Sequence, residues 1–170
     1  MKRILVIGSG GREHAIVWSI RNTSTTPVEL FCAPGNAGIG QLAQLVDISV
    51  NDHSQLAQFA QVNSIDLTFV GPEAPLTGGL VDAFAEKGLP VVGPTSAAAR
   101  LEGSKIFAKD FMARHGIPTA TYRVADSPAQ AIEYLRSGEF GGPESAVVIK
   151  ADGLAAGKGV VVAATRAEAE

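Results

Sequence analysis

The chain has 170 residues, 46% of them apolar, with 19 glycines and 9 prolines; this is the size of one medium domain, or of one domain with part of a second, and it excludes a disordered or fibrous chain. Net charge is −3 and the Lys and Arg residues are scattered, which excludes the basic footprint of a nucleic-acid binder and gives no purchase on an acidic membrane. The single cysteine, Cys32, excludes a disulfide framework and a thiolate metal site, and no apolar run reaches membrane-spanning or signal-peptide length, so a cytosolic protein with small-molecule partners is expected.

Residues 4–7, Ile-Leu-Val-Ile, form a continuous apolar run, the pattern of a parallel strand covered on both faces, and end at Gly8-Ser9-Gly10-Gly11. A helix is expected over 12–22, a second strand over 28–32, a loop over 33–38 and a third strand over 45–50. Asn51 or Asp52 can cap the next helix, in which Leu56, Phe59 and Ala60 repeat at helical spacing. A fourth strand over 65–70, a loop over 71–76, a helix over 80–87 and a fifth strand over 90–93 complete a βαβ series, hence a parallel sheet. The rhythm then changes. A helix over 104–115, stopped by Gly116 and Pro118, is followed by a strand over 122–124, a helix over 128–136 capped by Ser127, a Gly-rich turn over 138–143 and a β-hairpin. Thr165 to Glu168 resembles a capping box.

The hairpin holds the clearest chemistry. Two β-branched runs, 147–149 and 160–162, flank Lys150-Ala151-Asp152-Gly153-Leu154-Ala155-Ala156-Gly157-Lys158-Gly159. Backbone N–H groups of a glycine-rich turn can wrap phosphate oxygens, and Lys158 adds a mobile point charge. A Walker A loop is excluded: three residues, not four, separate Gly153 from Gly157, Gly159 stands where a hydroxyl should follow Lys158, and a strand comes next. The plain alternative is a ligand-free hairpin, against which Leu-Ala-Ala at the centre argues. Strand alternation puts Lys150 with Val148 on one face, an ammonium on a half-buried surface, which is costly without an anion. Lys105 reads either as a solvent-side first-turn lysine or as one held toward a cleft by the cap at Ser104.

Ligands of an open parallel sheet bind at the carboxyl ends of its strands, and three strand-end loops should share one rim. In the first, Gly8 and Gly10 suggest a dinucleotide fingerprint, but Glu13 occupies the third glycine position and Glu29 lies inside the second strand rather than at its end. What survives is a helix N-terminus with Arg12 beside it, suited to one phosphate. Glu13 also fits an ordinary first turn favoured by the helix dipole; His14 fits packing beside Trp18 better than a catalytic base; Asn36 fits a left-handed turn residue. Glu73, between Pro72 and Pro75, is placed to take hydrogen bonds from ribose hydroxyls or an amine, with a solvated loop carboxylate as the alternative.

Five motifs occur together and in order: Gly8-Ser9-Gly10-Gly11-Arg12-Glu13-His14-Ala15, Pro34-Gly35-Asn36-Ala37-Gly38, Gly71-Pro72-Glu73-Ala74-Pro75-Leu76, Leu101-Glu102-Gly103-Ser104-Lys105, and Lys150 through Val160. In this the chain resembles the phosphoribosylamine–glycine ligases (glycinamide ribonucleotide synthetases) of the ATP-grasp superfamily. The resemblance implies a Rossmann-like pre-ATP-grasp α/β domain over 1–100, a linker helix over 101–120 and an incomplete ATP-grasp flap subdomain over 121–170. It implies ATP and Mg²⁺, with glycine and 5-phosphoribosylamine as substrates of purine biosynthesis. ATP-binding residues are then Lys105, Lys150, Asp152, Gly153, Gly157, Lys158 and Gly159; substrate-binding residues are Gly10, Gly11, Arg12, Glu13, Asn36 and Glu73. The adenine-specifying segment and the metal ligands of such ligases lie downstream of Glu170, so this span is expected to be the N-terminal piece of a longer enzyme, inactive alone and mobile at the tip of its flap. A non-catalytic phosphosugar or nucleotide-binding module is the alternative.

Overall fold

In the computed structural model, which describes residues 1–155 and 158–170, the alternation of the first strand decides the core. Along β1 (Lys2–Gly8), Leu5 and Ile7 join one apolar cluster and Val6 the other, because successive side chains of a strand point to opposite faces. Next to it, β2 (Val28–Pro34) does the same, with Phe31 and Ala33 on the first side and Leu30 and Cys32 on the second. With β3 (Gln44–Leu45), β4 (Leu67–Val70) and β5 (Val91–Val92) these strands form an all-parallel sheet of order β3-β2-β1-β4-β5.

Helices cover both faces, as a wholly parallel sheet requires. Val17 of α1 (Gly11–Thr23) packs with Val6 and Cys32. On the other face Leu56, Ala57 and Ala60 of α2 (His53–Val62) meet Leu80 and Phe84 of α4 (Leu80–Glu86). Of the two candidate caps for α2 it is Asp52 that accepts from the Gln55 N–H, at 2.9 Å. The third strand is shorter than expected: after β3 the chain keeps only the Val46 N–H bond to Cys32 O, while Val46, Ile48 and Val50 pack onto the core as loop residues. The loop after β4 holds a short helix, α3 (Glu73–Thr77). A further helix, α5 (Ser96–Gly103), begins where the Ser96 N–H donates to Asp82 Oδ2 at 2.8 Å.

The chain divides into two compact units, Met1–Arg100 and Leu101–Glu170. The second contains α6 (Lys105–Arg114), α7 (Pro128–Arg136), the antiparallel pair β6 (Val147–Lys150) and β7 (Val160–Ala163), and α8 (Arg166–Ala169). Ser127 and Thr165 cap α7 and α8 as their sequences predict. No strand forms over 122–124. That segment has no ladder partner and is held by side chains instead: Tyr122 Oη donates to Asp110 of α6 at 2.7 Å and Arg123 Nε donates to Glu139 at 2.8 Å, while Lys109 Nζ ties the preceding residues to α6 by donating to Thr119 Oγ1 and Ala120 O. Buried Arg166 donates from Nη2 to Gly141 O at 2.9 Å and fixes the Gly-rich turn. Among the described residues, no helix is long and apolar enough to cross a membrane.

Candidate functional site

Because β2, β1 and β4 are adjacent and parallel, the loops that leave their carboxyl ends converge within the first unit. Side chains join them. Asn36, in the loop after β2, donates from Nδ2 to Ser9 O at 2.8 Å and accepts the Ile39 N–H on Oδ1 at 3.0 Å. The left-handed residue of that loop is Gly35 (φ 70°), so Asn36 caps the turn that follows rather than supplying a positive φ. Arg12, on the first turn of α1, donates from Nη1 to Gly71 O and from Nη2 to Glu73 Oε1, both at 2.9 Å. The N–H of Glu73 itself and then the Arg12 guanidinium hold the Glu73 carboxyl below the usual carboxylate range. Gly10, Gly11 and Arg12 are exposed and Asn36 and Glu73 half-buried, so one rim presents a helix N-terminus, a guanidinium and a carboxylate.

Glu13 is placed differently from the ligand-facing position expected of it. It is 3% exposed, and its Oε2 accepts the Gly10 N–H at 2.6 Å. The carboxylate lies between two glycines: a Cβ on Gly8 would meet its Cγ at 2.5 Å, and one on Gly71 its Cδ at 2.7 Å. Strand order reverses between β1 and β4, the crevice where a doubly wound sheet takes a dinucleotide pyrophosphate. Here the Glu13 side chain fills the gap between the two strand-end glycines. The departure from the dinucleotide fingerprint is thus a filled space and not merely a lost glycine. The signal for this burial was the pairing of Gly8 and Gly71 at neighbouring strand ends, visible once strand order is known. His14 lies against the next loop, its Cε1 3.0 Å from where a Gly38 Cβ would stand, while Trp18 is 57% exposed.

In the second unit the loop between β6 and β7 is tied to the start of α6. Ser104 caps α6 by accepting the Phe107 N–H at 3.1 Å, and its hydroxyl donates to Asp152, 3.1 and 3.2 Å from the two carboxylate oxygens. The Ile106 N–H donates to Asp152 Oδ1 at 3.2 Å. Lys105 Nζ donates to Gly153 O at 2.7 Å. Desolvation pushes the Asp152 carboxyl up, but the N–H groups of Ile106, Gly153 and Lys105 and the Ser104 hydroxyl outweigh it and leave the carboxyl below its usual range. Gly153 has φ 86°, a value that favours glycine, and at the far shoulder the Ala151 N–H donates to Gly159 O at 2.8 Å.

Lys150 and Lys158 are exposed. Val148 and Ile149, on opposite faces of β6, are 50% and 39% exposed, whereas Val147 is partly buried and its partner Ala163 fully buried, so among the described residues the burial of the hairpin lies at the end away from Lys150. Gly157 lies outside the described residues. Of the residues expected at ATP, Lys105, Asp152 and Gly153 are in direct contact with one another, and Gly159 closes the loop base. The link from Ser104 to Asp152 was not legible, since a helix cap and a loop carboxylate 48 residues apart carry no mark of their pairing. No group of three or more His, Cys, Asp or Glu side chains that could hold a metal ion occurs among the described residues.

Residues 2–102 match the family described as phosphoribosylglycinamide synthetase, N domain, and residues 103–170 the phosphoribosylglycinamide synthetase ATP-grasp (A) domain. The chain is 55% identical over 169 residues to the phosphoribosylamine–glycine ligase of Pasteurella multocida and 54% identical over 170 residues to that of Vibrio parahaemolyticus, covering 98% and 99% of this chain and 38% of each relative. The crystal structure of the phosphoribosylamine–glycine ligase of Thermotoga maritima superposes with a TM-score of 0.73 at 33% identity, over 98% of this chain and 37% of that one. The chain therefore spans about 38% of the length of the curated relatives it matches.

Proposed function

The chain belongs to the phosphoribosylglycinamide synthetase family, and from that membership we propose that it supplies the phosphosugar rim and the phosphate loop of an ATP-dependent ligase joining glycine to 5-phosphoribosylamine. On this reading residues 1–100 are the pre-ATP-grasp domain, 101–120 the linker helix and 121–170 part of the flap subdomain, and the span is inactive by itself. ATP phosphorylates the glycine carboxylate; the amine of the phosphosugar attacks the acyl phosphate, and phosphate leaves.

Such chemistry needs cations at the transferring phosphoryl group and a separate anchor for the sugar phosphate. The observation that most supports the reading is the 2.7 Å bond from Lys105 Nζ to the Gly153 carbonyl, which brings a lysine from a distant helix to a glycine-rich loop that already bears Lys150 and Lys158. Lys105, Lys150 and Lys158, with N–H groups of the loop, hold the ATP phosphates. The α1 N-terminus at Gly10 and Gly11, with Arg12, takes the sugar phosphate, and Asn36 and Glu73 face the ribose or the amine. Glu13 holds the rim in shape from inside. The side chains present fit phosphate; Mg²⁺ has no ligand assigned to it among them.

The test is glycine-dependent ADP release in the presence of 5-phosphoribosylamine, measured on the complete gene product and on its Lys150→Ala variant. Release by the parent and a loss of about tenfold or more in the variant at subsaturating ATP support the reading. No release by the parent refutes the ligase and favours a binding module; equal turnover by the variant removes Lys150 from the ATP site.

A further inference from the structure

The phosphate loop and the helix that carries Lys105 are joined at two points, and the bonds run in opposite directions. Asp152, on the loop, accepts from the Ser104 hydroxyl and the Ile106 N–H of the helix start. Lys105, on the helix start, donates to the Gly153 carbonyl of the loop. All the groups involved lie at the first turn of α6 and at one shoulder of the loop. The Asp152 carboxylate stands where an anion is favoured, against N–H groups that have no partner inside the helix. The side chain, though exposed, is turned toward the helix start by these bonds.

We propose that Asp152 is a positioning residue: it locks the loop shoulder to the N-terminus of α6 and thereby sets where the Lys105 ammonium lies, without itself touching nucleotide or metal. This rests on the ATP-dependent reading above and replaces, for Asp152 alone, the role of a direct ATP ligand. The geometry supplies the reason. Lys105 has a long flexible stem, and its ammonium is held at the loop by one carbonyl, that of the residue directly after Asp152. Release of the Asp152 cap frees the carbonyl that orients Lys105, so the two proposed phosphate-binding elements lose register together. A ligand-contacting carboxylate behaves otherwise, since its loss leaves the helix start and the loop shoulder as they were.

The experiment compares Asp152→Ala, Asp152→Asn and Ser104→Ala in the complete gene product. Two things are read: amide hydrogen exchange over residues 104–108 and 150–155 without nucleotide, and KM for ATP against kcat. Asp152→Ala is expected to speed exchange in both segments together by about tenfold, the scale of one lost hydrogen bond to a charged group, and to raise KM for ATP with kcat little changed. Asp152→Asn keeps an oxygen that accepts the Ile106 N–H and is expected to restore most of both readouts. Ser104→Ala is expected to move both segments in the same direction but less. The proposal is overturned if Asp152→Ala speeds exchange in only one segment, or if Asp152→Asn is as impaired as Asp152→Ala and the loss falls on kcat, which marks direct contact with the reacting groups. If the parent shows no ATP-dependent turnover, the ligase reading fails, while the exchange data still decide whether Asp152 couples helix and loop.

Discussion

Gly71→Ala places a methyl group against the one buried carboxylate at the strand-end crevice. The backbone is no obstacle, since Gly71 does not lie in the left-handed region, but the new Cβ would stand 2.7 Å from Glu13 Cδ and 2.8 Å from Cγ. Glu13 has nowhere to retreat: Gly8 closes the opposite side, and Oε2 is bound to the Gly10 N–H at 2.6 Å. Overpacking costs about 1–3 kcal/mol, and displacing the carboxylate from an N–H adds part of the ~1.5–3 kcal/mol of a charge-assisted bond. A total of about 2–4 kcal/mol is expected, or roughly 1–2 M in the urea midpoint of the first unit. Cys32 offers a local assay because it is the single cysteine, fully buried in β2 of that unit. Pulsed thiol labelling across a urea series, read by mass, reports when this core opens. The decisive comparison is the Glu13→Ala background, where the methyl group meets free space. Gly71→Ala should then cost under about 1 kcal/mol, a coupling of about 2 kcal/mol between neighbouring sites. An equal shift of the midpoint in both backgrounds refutes the assignment of Glu13 as the filler of the crevice.

Asn36→Ala removes both the bond to Ser9 O and the cap on the Ile39 N–H and should destabilise the first unit by about 1–2 kcal/mol in the same labelling assay; Asn36→Asp keeps the acceptor and should lose about half as much. Burial, and then the nearby Glu13 carboxylate, push the Cys32 thiol from 9.0 up to about 12. A raised pKa means the stability it lends is fully present below pH 9.0 and is lost as pH rises from there toward about 12, because the unfolded chain releases a proton that the native thiol keeps. Urea titrations at pH 8 and pH 10 should show the parent losing more stability than Cys32→Ala, by about 1.4 kcal/mol over that whole interval, since the linkage begins only near pH 9.0; parallel losses would contradict this environment for the thiol.

What could be read from the sequence follows how far apart the cooperating residues lie. The alternation of Leu5, Val6 and Ile7 between the two faces, the Asp52 and Ser127 caps and the β6–β7 hairpin all depend on neighbours within a few positions. The strand expected over 122–124 failed because β propensity selects a strand only where a partner edge exists, and here Asp110 of α6 and Glu139 take up the segment through side chains. Glu13 shows the same limit at the site. Read locally, a glutamate in the first turn of a helix belongs in solvent, facing the dipole. Its burial follows only from the crossover that sets β4 beside β1 and brings Gly71 opposite Gly8. Asp152 likewise reads locally as a polar residue in a phosphate loop, and its partners at Ser104 and Ile106 come from a helix 46–48 residues earlier. In both units, then, the motif was legible as a motif, while the acidic residue inside it changed role once the fold supplied its partner. Glu13 holds the first glycine-rich loop in place; on the readings proposed above, Asp152 does the same for the second, and Arg12, Lys105, Lys150 and Lys158 meet the anions.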